Sequence, residues 1–145
     1  ITVSQTISIR SPVDKVAFQI YHFEKFITWS PWAKLDTAMK FEFFGSSGQV
    51  GAKYTWTGND KVGTGSQELV EVSTHLIETK LIFTSPWESE SDISYHLSEK
   101  GKVTSVTWSY LGEMPFLMTF FVDLDEILGD KYEEGLESLK VICEQ

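Results

Sequence analysis

Residues 2–10, TVSQTISIR, alternate apolar and polar side chains, the period-two pattern of a strand with one dry face. The period then changes. Ser11, Pro12 and Asp14 supply a cap, a residue suited to the first helical position and the acid of a capping box. Val13, Val16, Ala17 and Ile20 follow on one helical face. HFEKFITWS predicts a second short helix with Phe23, Phe26 and Ile27 on its apolar side, and Pro31 makes WSPW an exit turn. Six strands come next, at 39–44, 51–58, 61–72, 76–84, 90–97 and 103–110, punctuated by Gly45-Ser-Ser-Gly48, Asn59-Asp60, the Ser-Pro-Trp of 85–87 and Glu99-Lys100-Gly101. Six strands in succession imply an antiparallel meander, with the first strand as its edge or closing partner.

The last third returns to helical spacing through Leu117, Phe120, Phe121, Leu124, Ile127, Leu128, Tyr132, Leu136, Leu139 and Ile142. It predicts a long terminal helix beginning near Pro115 or near Asp123. Gly129 and Gly135 each cost about 1 kcal/mol against alanine inside a helix, a loss that close approach of the helix to the sheet would offset. Ser-Pro-Trp occurs at 30–32 and again at 85–87, but the surroundings differ and no repeat is present.

Parity within the strands assigns an inner face. It carries Tyr54 and Trp56; Ile77, Thr79, Leu81 and Phe83; Ile93, Tyr95 and Leu97; and Thr104, Val106, Trp108 and Tyr110, while His96 points outward. Strand 61–72 is ambiguous, because Leu69 and Val70 cannot both face inward without a bulge. Glu68 shares the parity of Val70 and Val72, so it is either an inward carboxylate or is turned to solvent by that bulge. One helix cannot fill a strongly curved sheet, and tyrosine and tryptophan carry polar groups that need partners when buried. The set therefore predicts a partly open cavity lined by Tyr54, Trp56, Phe83, Tyr95, Trp108 and Tyr110, faced by Phe120, Leu124, Leu128 and Tyr132 of the terminal helix. A ligand cavity of this kind would have a volume of roughly 300 Å³ or more, and a filled interior without one would count against ligand binding. Gly135, three residues after Tyr132, would let the helix approach the sheet beside it.

The stretches SPVDKVAFQIYHFEKFITWSPWAKLD, YTWTGNDKVGTGSQELVEV and GDKYEEGLESLK resemble the START-like superfamily, which includes the birch-pollen allergen and polyketide cyclases, and within it the polyketide cyclase/dehydrase-type branch. The resemblance spans nearly the whole chain, as a single domain over 1–145. It implies an α+β helix-grip fold: a seven-stranded curved antiparallel sheet around a long C-terminal helix, with two short helices after the first strand. It also implies a cavity for lipids, polyketides or other hydrophobic molecules, in proteins that bind or transfer them and in some that are enzymes.

Composition narrows the function further. The chain has 145 residues and a formal charge of −9, and Arg10 is its only arginine, so nothing in it offers a basic surface to nucleic acid. Aromatic residues reach 14%, which a core of this size must accommodate. A single cysteine, Cys143, excludes an internal disulfide, and His22, His75 and His96 lie too far apart for a local metal motif; no metal or cofactor is expected. Gly63-Thr64-Gly65 sits in a strand with no helix after it, which fits a bulge or close packing better than a phosphate loop. No Ser-His-Asp, HExxH or P-loop pattern appears, leaving Glu68 and Tyr54 as candidates for any acid–base chemistry. Three functions are expected in order: binding of a small hydrophobic or aromatic molecule, a cyclase or dehydratase reaction in the same cavity, and a membrane-proximal module using the apolar stretch MPFLMTFFV at 114–122. The sequence contains no transmembrane run, and membrane contact would need that stretch or an upstream anchor preceding ITVSQT.

Overall fold

In β1, Thr2–Ile9, Val3 and Ile9 are buried while Ser4, Thr6 and Ser8 are exposed, as the alternation requires. The computed structural model describes residues 2–85, 88–112 and 124–145, with the side chains of 124–127 left aside. After β1 come α1, Val13–Tyr21, and α2, Phe23–Trp29, then a single 3-10 turn at Ala33–Leu35. Strands β2, Lys40–Phe44; β3, Lys53–Thr57; β4, Thr64–Val72; β5, Leu76–Ser85; β6, Ser89–Lys100; and β7, Val103–Gly112, follow. They pair antiparallel in chain order, and β1 adds to β7, giving a seven-stranded sheet ordered β1-β7-β6-β5-β4-β3-β2. β1 is thus an edge, with β2 as the other. The chain has the α+β helix-grip architecture, its sheet curved toward α3, Leu124–Cys143.

The start of α1 corrects one expectation. Ser11 does not cap it: the residue before the helix is Pro12, which has no capping side chain, and the Ser11 hydroxyl is buried without a partner among the described residues. The Val13 N–H instead donates to the Glu99 carboxylate at 2.7 Å, from the end of β6. An acid at a helix N-terminus satisfies an orphan donor and complements the dipole, wherever in the chain it comes from.

β4 resolves its own ambiguity. Its pairing with β5 slips between Leu69 and Glu71, so Val70 is the extra residue of a bulge. Gly65, Gln67 and Leu69 face inward and Glu68 is exposed. A second slip lies between Thr64 and Gly65. A Cβ at Gly65 would collide with the Ile82 carbonyl oxygen and stand 2.6 Å from Cη2 of Trp56. The glycine there allows close packing, not phosphate binding.

α3 lies chiefly along β1, with α1 and α2 beside it. Its C-terminal end is tied down: Lys140 Nζ donates to the Ser8 carbonyl at 2.8 Å, and Glu144 accepts from the Arg10 N–H at 2.8 Å and from Lys140 at 2.9 Å. The concave face near β2 is left for α2, the 3-10 turn and a cleft. Phe120, the stretch 114–122, the second Ser-Pro-Trp beyond Ser85 and the start of the terminal helix before Leu124 lie outside the described residues, as do the side chains of Leu124 and Ile127.

Candidate functional site

The centre of the inner face is an aromatic stack. Trp108 on β7 lies against Tyr132 of α3 with ring centroids 3.9 Å apart and planes 7° from parallel, and its other neighbour in stacking is Tyr95, at 5.2 Å and 23°. Trp29 and Phe26 of α2 meet the same indole edge-on, at 5.5 and 6.2 Å. The stack depends on Gly135. A Cβ there would stand 2.9 Å from Cζ3 of Trp108 and 2.9 Å from Cδ of Pro31. The bare backbone therefore lets α3 come down between the WSPW turn and the sheet.

Beyond this stack, toward β2, a cavity opens. Its sheet wall is Tyr54, Trp56, Gln67, Phe83, Trp108 and Tyr110, and α3 contributes Leu128 and Tyr132. Ile27, Ser30, Trp32 and Ala33 roof it from α2 and the following turn, and Met39 and Phe41 lie at the β2 side. The cavity measures about 80 Å³, and the cleft containing it about 750 Å³ when the space open to solvent at the mouth is included. The enclosed room therefore falls short of the expected 300 Å³ or so, because the tyrosines and tryptophans fill much of what they line.

Buried polar atoms on this wall are wired to one another. The Thr79 hydroxyl donates to Gln67 Oε1 at 2.7 Å, and Gln67 Nε2 donates to the Tyr54 hydroxyl at 2.8 Å. Tyr110 and Ser91 share a hydrogen bond of 2.5 Å, and Trp56 Nε1 donates to the Val62 carbonyl at 2.9 Å. Burial pushes the Tyr54 phenol well above its usual range, opposed in part by the bond from Gln67, and burial likewise raises Tyr132. These phenols stay protonated at neutral pH and act as hydrogen-bonding groups. Every residue named on the cavity wall is uncharged at neutral pH.

Of the expected lining residues, Tyr54, Trp56, Phe83, Trp108, Tyr110, Leu128 and Tyr132 do meet at one cavity. Tyr95 does not line it; it is buried behind Trp108. Glu68 is a correction: it sits on the outer face, in register with Lys53 and Lys80, and cannot serve chemistry in the cavity. Its inward place is taken by its neighbour Gln67, a neutral amide that hydrogen-bonds but moves no proton. A charged residue beside the Leu69-Val70 choice was the available signal, since sending Glu68 outward puts Gln67 and Leu69 in. Trp32 lines the roof, and Phe41 was missed because β2 pairs only on one side and its parity carries little contrast. Among the described residues no group of His, Cys, Asp or Glu is placed to hold a metal ion.

No protein-family model matches the sequence, and no curated protein matches it. Solved structures do match the fold. A protein from Chromobacterium violaceum is 12% identical with a TM-score of 0.72, covering 99% of this chain and 97% of that one. The Aha1 dimer from Colwellia psychrerythraea is 16% identical with a TM-score of 0.70, over 99% of this chain and 96% of that one. DynU16, a protein in the dynemicin biosynthetic locus, is 14% identical with a TM-score of 0.65, over 97% of this chain and 46% of that one. At these identities the likeness is one of fold: the chain shares the helix-grip architecture with all three.

Proposed function

We propose that this protein is a START-like ligand-binding domain that takes a small, uncharged, apolar molecule into the cleft between the sheet and α3. The observation that carries this is the wall itself: large aromatic side chains meet at a cleft that has no charged residue among those named on it. Apolar walls with a few placed polar groups are the usual make-up of small-molecule sites. The size of the enclosed space favours a ring-sized molecule over a long acyl chain, which would have to lie mostly in the open mouth. Binding is favoured over turnover because, among the described residues, the cavity wall holds no carboxylate or histidine to move a proton at neutral pH.

The test is titration with a neutral fluorescent probe, N-phenylnaphthylamine. Leu128→Trp, which fills the cleft from α3, should weaken binding at least about tenfold, whereas Glu137→Gln on the exposed side of α3 should leave it unchanged. Wild-type affinity in a folded Leu128→Trp protein would place the probe elsewhere and overturn the reading.

A further inference from the structure

The two edges of the sheet differ. Along β1 lies α3, and Lys140 Nζ takes the Ser8 carbonyl at 2.8 Å. β2 pairs with β3 through five unbroken positions, Lys40 to Phe44, and among the described residues no strand pairs with its other side. Such an edge is a template for another chain unless proline, a bulge or an unmatched charge blunts it. β2 has no proline and no bulge, and it leaves Phe43 49% and Phe44 50% exposed. Its register with β3 assigns the faces: Phe41 and Phe43 lie opposite Trp56 and Tyr54 on the concave side, Lys40 and Glu42 opposite Thr57 and Thr55 on the convex side. Among the described residues neither Lys40 nor Glu42 makes an ion pair within its own chain.

Those two charges limit how the edge can pair with itself. In a continuous antiparallel pair of identical strands, opposite residues share a face, so the two-fold axis passes through one residue. An axis at Glu42 sets two carboxylates against each other, which is destabilising. An axis at Phe43 leaves Lys40 and Glu42 without an opposite charge. An axis at Phe41 sets Lys40 opposite the partner's Glu42, and Glu42 opposite the partner's Lys40. On the concave face it brings the two Phe41 rings together and sets Met39 opposite the partner's Phe43. We propose that β2 is a self-association edge, through which two copies join antiparallel with the axis at Phe41. Met39 and Phe41 line the cleft at its β2 side, so each copy covers that side of the other's cleft. The exposed Lys40–Glu42 pairs choose the register, while the backbone ladder and the phenylalanines supply the affinity. One strand per copy is a small interface between chains of charge −9. The dimer should therefore be weak, with a dissociation constant on the order of 10–100 μM, and the edge is open in dilute solution.

Sedimentation velocity from about 1 to 500 μM, a range that brackets this constant, tests the proposal. Wild type should pass from monomer to dimer. Glu42→Lys opposes lysine to lysine twice and should weaken association at least about tenfold. It does so although each copy's charge falls from −9 to −7, which reduces general repulsion. Adding Lys40→Glu to it restores both opposite-charge pairs only with the axis at Phe41, and should return the constant to within about threefold of wild type. Both positions are exposed, so melting temperatures in dilute solution should match wild type. A monomer at every concentration would overturn the proposal, as would a dimer indifferent to Glu42→Lys, which associates through another surface. A double variant no tighter than Glu42→Lys alone would overturn the register. No ligand enters these measurements, so their outcome is independent of the binding function.

Discussion

Gly135 shows how one missing methyl group shapes the site. Placing a β-branched side chain there sets it against Cζ3 of Trp108 and the ring of Pro31, neither of which is a flexible chain end. Gly135→Val should cost about 1–3 kcal/mol through overpacking, even after the gain in helix propensity. Thermal melting beside Glu137→Gln measures this, and a simultaneous drop in probe affinity is expected because the Trp108–Tyr132 stack is displaced. Glu144 offers a second residue to test. The Arg10 N–H, then the Lys140 ammonium, hold its carboxylate down, from 4.5 to about 2. A carboxylate whose pKa is lowered by folding contributes stability that is fully present above its unfolded value and is lost as pH falls through the folded one. The stability difference between wild type and Glu144→Gln should therefore be constant above pH 4.5 and shrink between there and pH 2, as chemical denaturation at a series of pH values would show.

The roof of the cleft is an element with few ties. The 3-10 turn Ala33–Leu35 runs between α2 and β2, and its Leu35 carbonyl accepts from Asn59 Nδ2 at 3.2 Å. Asp36 accepts from the Asn59 N–H at 2.7 Å and from the Ala38 N–H at 2.9 Å, and Lys34 reaches Glu134 of α3 at 3.7 Å. The last is a surface ion pair of small worth. The Asp36 carboxylate thus connects the roof to the β3–β4 hairpin, whose own turn is braced by Trp56 Nε1 on Val62. Asp36→Ala should cost about 1–2 kcal/mol and raise the association rate of N-phenylnaphthylamine in stopped flow, since the roof then opens more readily. An unchanged rate would mean that ligands enter on the β2 side, past Phe41 and the half-exposed Phe43.

The whole sheet is unevenly supported, and its dynamics should follow. β6 and β7 are bonded on both sides and packed beneath α1 and Trp108's stack, while β2 pairs only with β3 and is exposed at four of its five positions. Local opening is cheapest where few buried contacts are lost. Amide exchange in β2 should be at least about a hundredfold faster than at Tyr95, Val106 or Trp108. Comparable protection across all seven strands would show that the edge next to the cleft is covered in solution.

Much of this arrangement could be read from the amino-acid order because it rests on local periodicity. Alternation at 2–10, 76–84 and 103–110 assigned strands and inner faces that the structure retains, and the spacing of Leu128, Tyr132, Leu136 and Leu139 gave the buried stripe of α3. Burial selects side chains one by one along a regular element, so its trace survives in one dimension. The features that went astray depend on atoms distant in the chain. Whether Gln67 or Glu68 faces the cleft was decided by where β4 slips against β5, and the capping of α1 by a carboxylate 86 residues away. The cavity's small volume and Tyr95's place behind Trp108 follow from how whole side chains interpenetrate. Close packing is a property of the three-dimensional set of neighbours, and only the folded chain brings those neighbours together.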